Sequence, residues 1–220
     1  MPELSAGYHA TRGRIAELVA GIDTGVVVPA CPAWTAHDLL AHVSGMPEAL
    51  TAGDFPGADR QDWIDGIVAA RRAVATDELL TRWEACAAAT STFVDAGAAL
   101  LFADLVVHEH DLRGALDRPG GRGVAEVRAV VQLLLDGLAP AIKEAKLGAL
   151  MIDSGPVRWT SHFARSGCTL HLDPWEATRV LASRRTADEL LALPSTGDVE
   201  PYLKVLDEHQ PLPERSLDER

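Results

Sequence analysis

Apolar positions along the first two thirds of the chain recur at the spacing of amphipathic helices. Leu4, Tyr8, Ile15, Leu18 and Ile22 fall at steps of three, four and seven, which predicts a helix over 4–22. "VVVPACPAW" then breaks the pattern. Thr35 is a fitting N-cap with Asp38 three residues on, in the manner of a capping box, and the helix it opens should run to about Gly53. "GDFPGADRQ" reads as a loop and 62–72 as a short helix. Thr76 or Asp77 opens a further helix through "ELLTRWEACAAATSTFV". Another is predicted over 99–116, stopped by "DRPGGRG", and the last long one over 124–147.

Beyond "KLG" the texture changes. "ALMID", "VRWTSH" and "CTLHL" are short, partly alternating segments separated by "SGP" and "ARSG", the pattern of a small antiparallel sheet, and helical text resumes in "DPWEATRVLASRR" and "DVEPYLKVLDEH". The expected fold is therefore mainly α with a small α+β appendage. An antiparallel four-helix bundle over 1–147, with the 62–72 helix inserted in one connection, is followed by a small α+β domain over 148–220.

Charge narrows the partners. Lys and Arg number 20 against 32 Asp and Glu, a formal charge of -12, which repels phosphate backbones and anionic membrane surfaces. Nucleic acid and membrane are not expected partners. There is no run of about 18 apolar residues and no apolar leader, so a cytoplasmic protein, monomer or homodimer, is expected. Cys31, Cys86 and Cys168 match neither a CxxC metal pair nor a disulfide framework, and read as buried thiols.

The candidate chemistry lies in "FADLVVHEHDL", residues 102–112. At about 100° per residue, Asp104, His108 and Asp111 lie within about 60° of one another on one helix face. That face runs between Leu101 and Leu105 on one side and Leu112 and Ala115 on the other, so the polar trio interrupts an apolar seam. A buried carboxylate needs a hydrogen-bonded partner or a cation. His42, set among Leu39 and Val43 in "CPAWTAHDLLAHVSG", is placed to complete the set. Two imidazoles and a carboxylate from facing helices form an open metal site suited to zinc, nickel or iron. The plainer alternatives are a hydrogen-bonded Asp–His pair on the helix, or an Asp38–His42 pair at i, i+4. Glu109 and His110 fall off the seam and are expected in solvent. Trp34 is expected to pack against the loop before the helix that follows it. His9, beside Tyr8, is expected at the bundle end or in water, and His162, His171 and His209, in the second domain or tail, show no ligand spacing.

These two segments resemble the mycothiol-dependent maleylpyruvate isomerase-like family. "VVVPACPAWTAHDLLAHVSG" is similar to its CPxWxxxDLxxH signature, and "ADLVVHEHDL" to its ExxxHxxDL stretch. "DWIDGIVAARRAVATDELLTRWEA" lies between them, and a weaker likeness continues through "WEATRVLASRRTADELL", "GDVEPYL" and "PLPE". The resemblance implies a DinB-like bundle in which His42, Asp104 and His108 hold a divalent metal and Asp111 stands near it as the catalytic residue. It further implies a low-molecular-weight thiol cofactor, mycothiol or another, and a small-molecule substrate that is isomerised or receives the sulfur. Asp104 departs from the family's glutamate and is one methylene shorter. No arginine aligns with the one characterised members contribute from the second domain; Arg184 and Arg185 are the candidates. The alternatives are a non-catalytic ligand-binding or regulatory bundle, which the Asp104 departure favours, and a metal-dependent hydrolase using bound water.

Overall fold

Helix-stopping residues divide the chain much as the sequence predicts. The computed structural model describes residues 4–217 and Glu219. Helix α1 spans Leu4–Val19 and stops short of the expected Ile22, because Gly21 takes a left-handed backbone conformation (φ 66°). "VVVPACPAW" does more than break the pattern: β1 (Val27–Val28) and β2 (Cys31–Thr35) pair antiparallel as a small hairpin. That hairpin fixes Cys31 and Trp34 beside the start of α2 (Ala36–Thr51). The capping box is present, with the Asp38 amide donating to Thr35 Oγ1 and the Thr35 amide to Asp38 Oδ2, both at 3.1 Å.

Helices α3 (Arg60–Ala69), α4 (Thr76–Ala85), α5 (Ala87–Asp95), α6 (Ala99–Ala115) and α7 (Ala125–Glu144) follow. The single helix expected from residue 76 is thus two helices, broken where Cys86 leaves helical geometry at φ −91°, ψ 1°. Buried Trp83, at the end of α4, is fixed to α1 by its indole N–H, which donates to Tyr8 Oη at 2.8 Å.

The chain forms two compact units, the first ending at Gly120 and the second running Gly121–Glu219. In the first, α1 packs on α5 and α6, and α2 packs on α3, α4, α5 and α6. Gly45 lets α3 approach α2, since a Cβ there would come within 2.5 Å of Ile67 Cγ2. α1 and α6 are also joined through charge: Glu109, with no exposed surface, accepts from Arg14 Nη2 at 2.8 Å and from Arg113 Nε at 3.0 Å.

The sequence reading puts the division between units near residue 147, whereas α7 belongs to the second unit. Its face of Val131, Leu135, Leu138 and Ile142 is part of the same core as the sheet residues Leu150, Ile152, Cys168 and Leu170. That sheet has the order β4-β3-β5-β6, from β3 (Ala149–Asp153), β4 (Arg158–Thr160), β5 (Ser166–His171) and β6 (Ser195–Gly197). It is mixed rather than all antiparallel. β4 returns beside β3 as a hairpin, the chain crosses at residues 161–165 to the other edge, and β5 runs parallel to β3 with Ile152 opposite Leu170. β6, which the sequence reading omits, pairs antiparallel to β5. α8 (Pro174–Leu181), α9 (Ala187–Leu191) and α10 (Glu200–His209) complete the unit. No single helix among the described residues is long and apolar enough to cross a membrane.

Candidate metal centre

Helix α6 is buried on nearly every side: Phe102, Leu105, Val106, Val107 and Leu112 are all core residues, and the polar groups in the same stretch are buried with them. Asp104, His108 and Asp111 occupy one face, as their spacing predicts. α2 supplies the fourth group. His42 points from it toward α6, with its Nε2 3.2 Å from Asp104 Oδ2. The other carboxylate oxygen, Asp104 Oδ1, lies 3.4 Å from His108 Nε2. The two imidazoles stand edge to face, ring centroids 5.1 Å apart and planes at 89°, so both Nε2 atoms converge on the aspartate. One methylene fewer than glutamate does not keep Asp104 from either ring.

Behind this trio, His108 is oriented by a second carboxylate. Its Nδ1 lies 2.9 Å from Asp111 Oδ2, and Asp111 is 2 % exposed. An Nδ1–H donated to Asp111 leaves the Nε2 lone pair facing Asp104 and His42, the tautomer a metal ligand needs. His42 lacks such support: its Nδ1 is buried without a hydrogen-bond partner, and the ring lies against Trp34 instead, centroids 5.0 Å apart. From β2, Cys31 Sγ donates toward Asp111 Oδ2 at 4.0 Å.

Electrostatics show what the arrangement seeks. Burial pushes His108 toward its neutral form, yet Asp104 and then Asp111 overcome it and raise the imidazole to about 9. Burial would likewise raise Asp104, but His108 and His42 hold its carboxyl well below the usual range. Asp104 and His108 thus each favour the charged form of the other.

The donor geometry fits a metal. One atom each of His42, Asp104 and His108 lies within 4.8 Å of the others. For metal–ligand bonds of about 2.0–2.1 Å at tetrahedral angles, the donor-to-donor edge is about 3.3 Å. Asp104 presents one oxygen to each imidazole, Oδ2 at 3.2 Å from His42 Nε2 and Oδ1 at 3.4 Å from His108 Nε2, both close to that value. The Asp104 side chain is 31 % exposed against 4 % for His42 and 8 % for His108, so the trio meets solvent at Asp104. A second group of donors, Cys31, His108 and Asp111, satisfies the same 4.8 Å criterion.

Asp38 does not pair with His42; it caps α2 and accepts from Arg72 Nε at 2.9 Å, which with Thr35 outweighs burial and lowers its pKa. Glu109 and His110, expected in solvent, are buried, because α6 has no solvated face along that stretch. Trp34 faces the His42 ring rather than only the preceding loop. Cys31 and Cys86 are half-buried, and only Cys168 is a fully buried thiol. His9 bonds to Ser91, His162 to Ser161 and His171 to Thr196. Arg185 pairs with Glu176 and Glu219, while Arg184 donates to the Ala182 carbonyl. The placement of Cys31 and Trp34 beside Asp111 and His42 is what sequence reasoning missed, because the hairpin that carries them is hidden by its prolines.

No family model matches the chain, and no curated protein matches it. Its fold is similar to that of a solved structure, a histidine-to-alanine mutant of the mycothiol-dependent maleylpyruvate isomerase. The TM-score is 0.58 over 90 % of this chain and 95 % of that one, at 13 % sequence identity.

Proposed function

We propose that this chain is a metal- and thiol-dependent enzyme acting on a small electrophile, with His42, Asp104 and His108 as ligands to a divalent cation. The assignment favours zinc, with nickel or iron as alternatives of the same donor preference. The observation that carries the proposal is the convergence of both Nε2 atoms and the Asp104 carboxylate at ligand spacing, with His108 held from behind by Asp111. The fold it shares with a mycothiol-dependent isomerase supports the choice of a thiol, mycothiol or another of low molecular weight, as cofactor. A divalent cation bound there lowers the pKa of a coordinated thiol, so that a thiolate nucleophile is available at neutral pH.

The chain's own residues then divide the work. His42 and His108 supply neutral nitrogens, and Asp104 supplies charge on the side open to solvent. Asp111 fixes the His108 tautomer and is the group able to hold or pass a proton at Nδ1. Buried apolar residues of α2 and α6, among them Leu39, Val43 and Leu105, flank the trio. A DinB-like four-helix arrangement, drawn from α1, α2, α5 and α6, is the scaffold this reading assigns to the site. Such a thiol cofactor would supply a nucleophile for an unsaturated carbon: expulsion of the same thiolate after rotation about the new single bond would give cis–trans isomerisation, and proton uptake at the neighbouring carbon would instead leave the sulfur attached.

The test is metal analysis of the purified protein together with thiol-dependent turnover of an unsaturated diacid such as maleylpyruvate. Stoichiometric metal that disappears in His42→Ala and His108→Ala, with activity lost alongside, is the expected result. Turnover that survives both substitutions overturns the proposal. A second reading, a non-catalytic ligand-binding bundle, is favoured by one feature: Asp104 already bonds to both imidazoles, so the trio is satisfied without an ion. Protein that takes up no metal under any loading condition decides for it.

A further inference from the structure

The His108 ring is shared by two sets of donors, and they lie on opposite nitrogens. Nε2 faces His42 and Asp104; Nδ1 faces Asp111, with Cys31 Sγ close to the same carboxylate. We infer that Cys31, His108 and Asp111 form a second cation site, suited to a thiophilic ion and occupied in alternation with the first.

The donor types carry the chemical assignment. A thiolate, an imidazole and one carboxylate make a softer set than two imidazoles and a carboxylate, and therefore select cadmium, mercury or cuprous ions over harder divalent ions. The positions require little movement. With a metal–sulfur bond of about 2.3 Å and a metal–oxygen bond of about 2.0 Å, the tetrahedral sulfur-to-oxygen edge is roughly 3.5 Å. Cys31 Sγ and Asp111 Oδ2 are 4.0 Å apart, so the half-buried thiol must close in by about half an ångström, within reach of a χ1 adjustment. His108 Nδ1 and Asp111 Oδ2, now 2.9 Å apart, must separate slightly to admit the ion.

Alternation follows from the electron count of the ring. A neutral imidazole has one lone pair, on whichever nitrogen lacks the hydrogen. With Nδ1–H donated to Asp111, the lone pair serves the first site. Binding at the second site transfers that hydrogen to Nε2, releases the Cys31 thiol proton to solvent, and withdraws His108 from the first. The ring thereby acts as a selector, and a thiophilic ion becomes an antagonist of the His42–Asp104–His108 site without touching His42.

The first-site reading and this one fail separately in a cadmium titration of reduced, metal-free protein, followed by the ultraviolet sulfur-to-cadmium charge-transfer band. A saturating band is expected in the wild type and in His42→Ala, where the first site is broken. It is expected to vanish in Cys31→Ser, to persist in Cys86→Ser and Cys168→Ser, and to need tenfold or more cadmium in Asp111→Asn. In protein preloaded with cobalt, the cobalt visible spectrum is expected to fall as the band rises. Absence of the band in the wild type, its persistence in Cys31→Ser, or its rise with no loss of cobalt each overturns the inference. Should the wild type bind no cobalt, the proposed function fails, and the Cys31-dependent band still decides the second site.

Discussion

Replacing Asp111 by asparagine removes a charge while keeping shape, and so isolates what this carboxylate does for His108. The bond it accepts is 2.9 Å long and lies in a site where Asp111 is 2 % exposed, so neither water nor salt screens it. An asparagine oxygen can still accept from Nδ1–H, but as a neutral group it raises the basicity of Nε2 less. Its amide, turned round, instead donates to Nδ1 and favours the tautomer that cannot ligate. Loss of such a supporting partner costs about 10- to 100-fold in metal affinity. That corresponds to about 1.4–2.7 kcal/mol. The assay is competition for zinc between the protein and a chromophoric chelator at near-neutral pH, with His108→Ala as the reference for loss of a true ligand. Asp111→Asn should bind zinc measurably more weakly than wild type and more strongly than His108→Ala. An affinity equal to the wild type refutes the claim that Asp111 orients the ligand; one as poor as His108→Ala makes Asp111 itself a ligand.

Other consequences can be checked on stability alone. Glu109→Ala leaves Arg14 and Arg113 facing a buried void; because both guanidinium groups keep some access to water, a loss of about 3 kcal/mol, the low end for a broken buried pair, is expected in urea unfolding. Asp38 has a depressed pKa in the folded state, so its contribution is present above the ordinary carboxyl range near about 4 and disappears as pH falls through its lower folded value. Acid melts should therefore show a steeper loss for the wild type than for Asp38→Asn. Thr35→Ala removes the other half of the capping box and should cost about 1 kcal/mol, read as a lower melting temperature. Saturating zinc at about 100 times its dissociation constant should stabilise the protein by about 2.7 kcal/mol, and an unchanged melting temperature in zinc argues against a native-state metal site.

Much of this was legible in the chain because helix geometry is local. The i, i+4, i+7 spacing of Asp104, His108 and Asp111 fixes a common face whatever the helix packs against, and Thr35 with Asp38 fixes where α2 begins. Face arguments lose force where a helix is surrounded. α6 is buried around most of its girth, so Glu109 and His110, off the predicted seam, meet other protein rather than water. Non-local choices were hidden as well. An amphipathic α7 announces that it has a buried face but not which core receives it, and the parallel pairing of β3 with β5 follows from the path of the chain around β4. The place of His42 on the apolar face of its own helix was legible, but that this face meets Asp104, 62 residues away, is a matter of tertiary packing.

That separation has a mechanical meaning. On the proposed assignment, coordination at Nε2 of His42 and His108 would tie α2 to α6 across the intervening chain, enclosing α3, α4 and α5 in a covalently open but chemically closed ring. An ion held there acts as a clasp on the two rods that flank the ring. Parting α2 from α6 would then have to release the ion first.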